Sequence, residues 1–187
     1  MIPDDNLEFF REAKDEDGEY RAGSVTIDNS HDFKTPCNLA IADANPERIF
    51  IKRLCERENS KTIDAWIKNS AQKFYSIEYA WKKGEHPKRG EFSPDFFIKQ
   101  GNTIFVVEIK DDSEISEPSP ENQKKYEYAK AHFDRLNKWL KEAKVDVVYQ
   151  LNFLTPSWFN RFYQSLREKK AHGFRSELDV ALSKKPR

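Results

Sequence analysis

The segment FSPDFFIKQGNTIFVVEIK constrains the fold of this chain more than any other. Gly101 and Asn102 separate two runs rich in aromatic and β-branched residues, which is the pattern of a β-hairpin with a two-residue turn. With that turn, the numbers of paired residues sum to 203, so Asp95 is expected directly opposite Glu108. The sequence therefore predicts two carboxylates on neighbouring strands, at the end of the hairpin away from the turn.

Side chains alternate along a strand, so Lys110 is expected on the same face as Glu108, about 7 Å along the strand. Directly opposed side chains have Cβ atoms about 4.5–5.5 Å apart, and two carboxylates at that distance repel each other unless a cation lies between them. The opposite face is expected to form core through Phe96, Ile98, Phe105, Val107 and Ile109. In the alternative interpretation, Asp95 begins an ordinary strand and both Glu108 and Lys110 face solvent.

The chemistry of this group indicates a particular kind of cation. Hard divalent ions such as Mg²⁺ prefer carboxylate and carbonyl oxygens, and they acidify and orient water beside a phosphodiester. Cys37, Cys55 and the four histidines lack the spacing of zinc ligands. We therefore expect any bound metal to be held by oxygen atoms.

Other segments predict helices and further strands around this hairpin. Asn45 is expected to cap a helix that has Pro46 in its first turn, and a longer helix is expected to begin at Ser119 and Pro120. Strands are expected at KTIDAWIKN and FYSIEYAW, and a basic loop at KKGEHPKRG. A further strand is expected at 145–154, and a helix is expected to begin at Thr155 and Pro156. The expected fold class is α/β, with an αβββαβ core in which helices flank a central mixed sheet.

Length and composition limit the possible classes of protein. The 187 residues suit one domain, which we place at 45–170, after a poorly determined lead-in at 1–44 that contains the β-like run SVTI and before a basic tail at 171–187. No apolar run approaches the roughly 20 residues that cross a bilayer, and the acidic N-terminus lacks the order of a signal peptide. These features predict a soluble, cytoplasmic protein with no membrane partner. The 32 basic and 32 acidic residues balance, so global charge gives no support to nucleic-acid binding.

Two short motifs carry a resemblance to a known family. Pro94-Asp95 on one strand, followed by Glu108-Ile109-Lys110 on the next, resembles the PD-(D/E)XK nuclease superfamily. The wider series NPERIFIKRL, DAWIKN, SIEY, FSPDFFI and VVEIK is similar to the C-terminal endonuclease domain of type III restriction enzyme Res subunits and related helicase-fused nucleases, over roughly residues 45–154. The resemblance implies a restriction-endonuclease-like fold and a metal-dependent endonuclease that hydrolyses DNA in restriction or phage defence.

The resemblance also implies roles for individual residues. Asp95, Glu108, the backbone carbonyl of Ile109 and Glu47 would hold Mg²⁺, for which Mn²⁺ substitutes, while Lys110 would assist the attacking water. Glu47 has an equally simple structural explanation, because the helix dipole favours an acidic residue in a first turn whatever its function.

Basic residues near this group are candidates for contact with the DNA backbone. Lys68 and Tyr79 fall where the resemblance implies polar residues near substrate, although both are also ordinary structural choices for strands. Basic candidates also lie in the expected loop and on the long helix, where a solvated surface would show the same pattern: Lys82, Lys83, His86, Lys88, Arg89, Lys124 and Lys130. The acidic run Asp111, Asp112, Glu114 and Glu117 follows the motif and would repel DNA unless it is mobile or turned away.

Two rival functions remain open. One is a non-catalytic module of the same fold that binds nucleic acid or docks on a helicase partner, which the neutral net charge and the many aromatic residues would suit. The other is an interaction domain with no nucleic-acid role. The chain has no GxxxxGK[ST] loop, so any helicase or translocase subunit would act in trans, and one site per chain favours a homodimer if both strands are cut.

Overall fold

A four-stranded mixed sheet forms the centre of the molecule. The computed structural model describes residues 23–27, 33–69, 74–83 and 86–184. Its strands are β1 Gly23–Thr26, β2 Leu39–Ala42, β3 Ala65–Lys68, β4 Ile77–Lys83, β5 His86–Phe92, β6 Phe96–Gln100, β7 Thr103–Ile109 and β8 Val148–Leu154. The central sheet has the order β3-β6-β7-β8, with β7 and β8 parallel and the other neighbours antiparallel. The predicted α/β class with a central mixed sheet is confirmed.

Helices cover both faces of this sheet. Their bounds are α1 Asn45–Cys55, α2 Arg57–Ser60, α3 Ser113–Ser116, α4 Pro120–Glu142, α5 Phe159–Arg167 and α6 Glu177–Leu182, with a 3₁₀ turn at Pro156–Trp158. The long helix α4 begins at the predicted place, because Ser119 caps it by accepting a hydrogen bond from the Asn122 amide. It makes the crossover between the parallel strands β7 and β8, as such a connection requires.

The hairpin of β6 and β7 has the predicted register. Gly101 takes a φ of +59° in the turn, a conformation that glycine adopts without strain. Phe96 pairs with Val107 and Gln100 with Thr103, which matches the pairing rule derived from the turn. The paired region ends at Phe96 and Val107, and Asp95 and Glu108 are the next residues along the two segments.

Apolar side chains pack on both faces of the sheet. On one face, the Phe50 ring of α1 lies 5.0 Å from the Phe96 ring and 5.1 Å from the Phe159 ring of α5. On the other face, the Phe153 ring lies 5.3 Å from Tyr126 of α4 and 5.6 Å from Phe92 of β5. The face that carries Glu108 is therefore also packed, by α4, α6 and the β4–β5 hairpin. The expected division into a core face and a free chemical face was too simple.

The outer edge of β8 is covered by polar side chains. The Asn137 side chain accepts from the Tyr149 amide and donates to the Tyr149 carbonyl, both at 2.8 Å. Further along the strand, Asp179 Oδ1 accepts from the Phe153 amide at 2.8 Å, while Ser176 Oγ donates to the Phe153 carbonyl. Ser176 and Asp179 also form the capping box that begins α6.

Several local features differ from the sequence predictions. The expected basic loop is largely strand β5, because Ile77–Lys83 and His86–Phe92 pair as a second hairpin. Ala44, not Asn45, precedes the first turn of α1, and no side chain caps this helix. Strand β2 and helix α6, which were not predicted, supply buried residues from outside 45–170, including Ala40, Ala42, Leu178 and Leu182. Within the described residues, no helix is both long enough and apolar enough to cross a membrane.

Candidate functional site

Five charged side chains converge at the end of the β6–β7 hairpin that lies away from its turn. Asp95 immediately precedes β6, Glu108 lies near the end of β7, and Lys110 follows that strand. Lys68 ends β3, and Glu47 lies in the first turn of α1. The structure thus brings together the four residues for which the resemblance implied catalytic roles, and it adds Lys68 to them.

Backbone contacts fix Asp95 between two strands. Its Oδ2 atom accepts a hydrogen bond of 2.7 Å from the Ile109 amide, and its carbonyl accepts one of 2.8 Å from the Asn69 amide. One contact ties Asp95 to the end of β7, and the other ties it to the residue that follows β3. This carboxylate therefore has a position set by the sheet itself.

Lys68 occupies the α1 side of the site. It pairs with Phe96 across the β3–β6 ladder and shares the sheet face of that residue. Its Nζ atom lies 2.9 Å from Glu47 Oε2 and 3.9 Å from Asp95 Oδ1. Burial lowers the pKa of Lys68, but the charges of Asp95 and Glu47 outweigh this effect, so its net pKa is raised. The Lys68 ammonium is thus the cation that pairs with Glu47.

Glu108 and Lys110 form a second pair on the α4 side. Lys110 Nζ lies 2.5 Å from Glu108 Oε1, and Glu108 is only 5% exposed. Burial lowers the pKa of Lys110 as well, and the negative charges of Glu108 and Asp95 again raise it overall. Lys110 therefore stays protonated at neutral pH.

The ionised form of Asp95 is destabilised by its surroundings. Its pKa is raised well above the ordinary value, first by burial and then by repulsion from Glu108 and Glu47. The opposing effects of Lys68 and of the Ile109 amide are smaller. An additional positive charge beside Asp95 would stabilise its ionised form.

Three buried side-chain oxygens near this group have no hydrogen-bond partner among the described residues: Asn69 Oδ1, Ser93 Oγ and Glu108 Oε2. Ser93 lies two residues before Asp95, and the Asn69 amide donates to the Asp95 carbonyl. Buried polar atoms without partners are uncommon in native proteins and call for an explanation. Of the three, Glu108 Oε2 belongs to the charged group itself.

A second polar group lies beside Lys110. Tyr79 donates a hydrogen bond of 2.8 Å to Glu121 Oε1 in the first turn of α4, and Lys125 Nζ lies 3.0 Å from the same oxygen. Lys125 and Tyr79 hydrogen-bond Glu121 and lower its pKa, with a smaller contribution from the charge of Lys110. Burial and Glu121 raise the pKa of Tyr79. Sequence reasoning missed Glu121 and Lys125, because a first-turn acid and a helical lysine look like ordinary surface residues.

The remaining basic candidates are distributed differently. Lys82 and Lys83 lie on β4 rather than in a loop, while Lys88 and Arg89 are exposed on β5. The other two form exposed ion pairs along α4, Lys124 with Glu127 and Lys130 with Asp134. Lys124 and Lys130 also line a cavity of about 600 Å³ near the end of α6. Glu121 and Lys125 are not among the residues that line this cavity.

The acidic run after the motif is partly folded into local structure. Asp112 Oδ1 accepts from the Ser157 amide at 3.2 Å, and Glu114 Oε2 accepts from the Ser119 amide at 2.8 Å. Hydrogen bonds to Ser157 and Thr155 lower the pKa of Asp112 against the opposing effect of burial, which is the largest single contribution. These two carboxylates are thus used to hold the start of α4 and the turn after β8.

The site contains oxygen atoms that could bind a metal ion, but they do not form a complete set of ligands. Within the part of the chain that the structure describes, no group of three or more His, Cys, Asp or Glu side chains is placed to hold a metal ion. A hard cation would nevertheless suit two of these side chains. It would give Glu108 Oε2 the partner that this oxygen lacks, and it would stabilise the ionised form of Asp95. Compared with known proteins, the chain matches no family model, no curated protein and no solved structure.

Proposed function

We propose that this chain is a metal-dependent nuclease that hydrolyses DNA phosphodiester bonds at the site formed by Asp95, Glu108 and Lys110. The observation that carries the proposal is the register of the hairpin, which brings two carboxylates and a lysine together with a buried carboxylate oxygen that has no partner. An interaction domain without chemistry has no need for this costly arrangement. The PD-(D/E)XK resemblance of the same residues supports the proposal.

The fold that this function requires is compatible with the observed sheet. The antiparallel strands β3, β6 and β7, followed by the α4 crossover to a parallel β8, support a restriction-endonuclease-like core as part of the proposal. We include that topology in the proposal, together with a role in restriction or phage defence beside a separate helicase or translocase subunit.

In this proposal the residues divide the work by position. Asp95, Glu108 and the Ile109 carbonyl would hold Mg²⁺ or Mn²⁺, which supplies positive charge for the phosphodiester and acidifies water when bound. Lys110, held by Glu108, would orient the attacking water or the phosphate. Tyr79, Glu121 and Lys125 would border the path of the backbone next to Lys110.

The decisive experiment is cleavage of supercoiled plasmid and of single-stranded DNA with Mg²⁺ or Mn²⁺. The parent is expected to nick or linearise DNA, and Lys110→Ala to lose at least about 100-fold in rate with an unchanged circular dichroism spectrum. Lys99→Ala is the matched control, because Lys99 is an exposed lysine on the same hairpin. Equal cleavage by the parent and Lys110→Ala would refute the assignment.

The second candidate is a non-catalytic module that binds nucleic acid. It is favoured by the pairing of Lys68 and Lys110 with carboxylates, which partly neutralises the acidic group without a metal. This module would bind labelled DNA with the same affinity whether a divalent metal or a chelator is present, and it would cut neither substrate. Metal-dependent turnover by the parent rules it out.

A further inference from the structure

Lys68 is a buried charge with a fixed place. Its side chain is 5% exposed, and its ammonium lies 5.2 Å from the centroid of the Phe96 ring. The carboxylates of Glu47 and Asp95 face it at 2.9 and 3.9 Å. A buried ammonium is tolerated only when such partners offset its loss of hydration. Lys68 therefore belongs to the acidic group as a permanent positive charge.

One carboxylate oxygen of Glu47 is already engaged by this arrangement. Its Oε2 atom accepts a hydrogen bond of 3.0 Å from the Asp43 amide and also contacts Lys68. By contrast, Glu108 Oε2 has no partner among the described residues. The buried carboxylate oxygen without a partner is thus on Glu108, on the α4 side of the sheet, whereas Lys68 and Glu47 lie on the α1 side.

The net charge of the site also favours a single metal ion. Three carboxylates, those of Glu47, Asp95 and Glu108, face two ammonium groups, those of Lys68 and Lys110, which leaves one negative charge when all are ionised. One divalent cation reverses that sign, and the single negative charge of a phosphodiester then neutralises the group. A second divalent cation would add two more positive charges beside Lys68, where low local dielectric makes repulsion strong.

From this geometry we infer that Lys68 takes the place of a second metal ion, so that the site binds one divalent cation and Glu47 holds Lys68 instead of metal. The inference rests on the proposed function and specifies its metal requirement. Lys68 is a positioning residue in this scheme, since it acts through Glu47 and Asp95. Removing its charge would free Glu47 to serve as a ligand.

The test is the number of Mn²⁺ ions bound per chain, measured by titration with detection of free Mn²⁺ by electron paramagnetic resonance. The parent is expected to bind one ion, and Lys68→Met is expected to bind two. Lys99→Met removes an exposed lysine from the neighbouring strand and should still bind one. Lys68→Arg keeps the charge and should also bind one.

Two ions in the parent or in Lys68→Arg, or one ion in a folded Lys68→Met, would overturn the inference. If Lys68→Met does not fold, as judged by circular dichroism, the counts for the parent and Lys68→Arg decide the question. Two bound ions together with Mn²⁺-dependent DNA cleavage would overturn this inference alone. Failure of the folded parent to bind any Mn²⁺ would overturn the proposed function as well.

Discussion

The Asp95 carboxylate accepts a hydrogen bond of 2.7 Å from the backbone amide of Ile109, the central residue of the Glu-Ile-Lys motif. The Asp95 carboxylate, which belongs to the acidic group, therefore also holds the start of β6 against the end of β7. Asp95 Oδ2 is directed at the β7 backbone, while Oδ1 lies on the side of Lys68. This contact explains how Asp95 stays in place despite repulsion from Glu108 and Glu47.

Replacing Asp95 by Asn should make the protein more stable and inactive. The folded-state pKa of Asp95 is raised, so its ionised form destabilises the fold at neutral pH, and Asn removes that charge but keeps an oxygen for the Ile109 amide. We expect the free energy of unfolding at pH 7 to rise by on the order of 1 kcal/mol while DNA cleavage is lost. Urea unfolding and plasmid cleavage measure the two effects.

The control for this prediction is Glu127→Gln, which removes an exposed carboxylate paired with Lys124. It should change the free energy of unfolding by less than about 0.5 kcal/mol and leave cleavage intact. A less stable Asp95→Asn protein would contradict the electrostatic interpretation of Asp95.

Asp179 should make stability depend on pH. Burial raises its pKa from 3.8 to about 6 against the opposing effect of its hydrogen bonds, so the folded state holds the proton more tightly than the unfolded state does. Its contribution is therefore largest below pH 4 and is lost as pH rises through about 6. Relative to Asp179→Asn, which does not titrate, the parent should lose up to about 3 kcal/mol of unfolding free energy between pH 4 and pH 7. Parallel urea titrations of the two proteins would show this loss, and a constant difference between them would refute it.

A methyl group on Gly90 should disturb the contact between Tyr79 and Glu121. A Cβ atom at position 90 would lie 2.8 Å from two atoms of the Tyr79 side chain, which is closer than such contacts allow. Gly90→Ala should therefore cost about 1–3 kcal/mol of stability by forcing the ring to shift.

The cost should be specific to that ring. In Tyr79→Ala the space is already empty, so adding Gly90→Ala there should have a much smaller effect than in the parent. Thermal or urea unfolding of the four proteins completes the cycle, and additive losses would contradict the steric explanation.

Lys125 should contribute to DNA binding, and Lys130 should not. Lys125 lies on the side of α4 that faces Tyr79 and the region of Lys110, whereas Lys130 pairs with Asp134 in an exposed position. Lys125→Ala should lower affinity and reduce the slope of log affinity against log salt by about 1, as expected for one lost phosphate contact. Fluorescence anisotropy with labelled DNA measures both quantities, and equal effects of the two variants would refute the assignment.

The hairpin at the centre of the fold was predictable because local chemistry specifies it. Gly101 sets the turn, alternation sets the faces, and the register from Gln100 with Thr103 to Phe96 with Val107 follows from the position of the turn. The long helix α4 was predictable for a similar reason, since Ser119 and Pro120 mark its start. Signals of this kind lie within a few residues of the element they define.

Features that depend on distant contacts were not predictable. Strand β5 contains Pro87, Lys88 and Arg89, and only its pairing with β4 makes it a strand. The partner of Glu47 proved to be Lys68, 21 positions along the chain on a different element, and nothing local to either residue indicates that contact. Helix α6 did carry a local signal that went unused, the capping box formed by Ser176 and Asp179, whereas the contacts of these two residues with the Phe153 backbone could not be predicted.

The polar cover on β8 has a consequence for self-association. β8 is the last strand of the central sheet, and an outer strand with free amides and carbonyls invites pairing with another chain. Asn137 engages both backbone groups of Tyr149, and Asp179 and Ser176 engage those of Phe153. At these positions another strand cannot pair with β8. Loss of helix α6 would therefore expose the Phe153 backbone groups to pairing with another chain, and so promote aggregation.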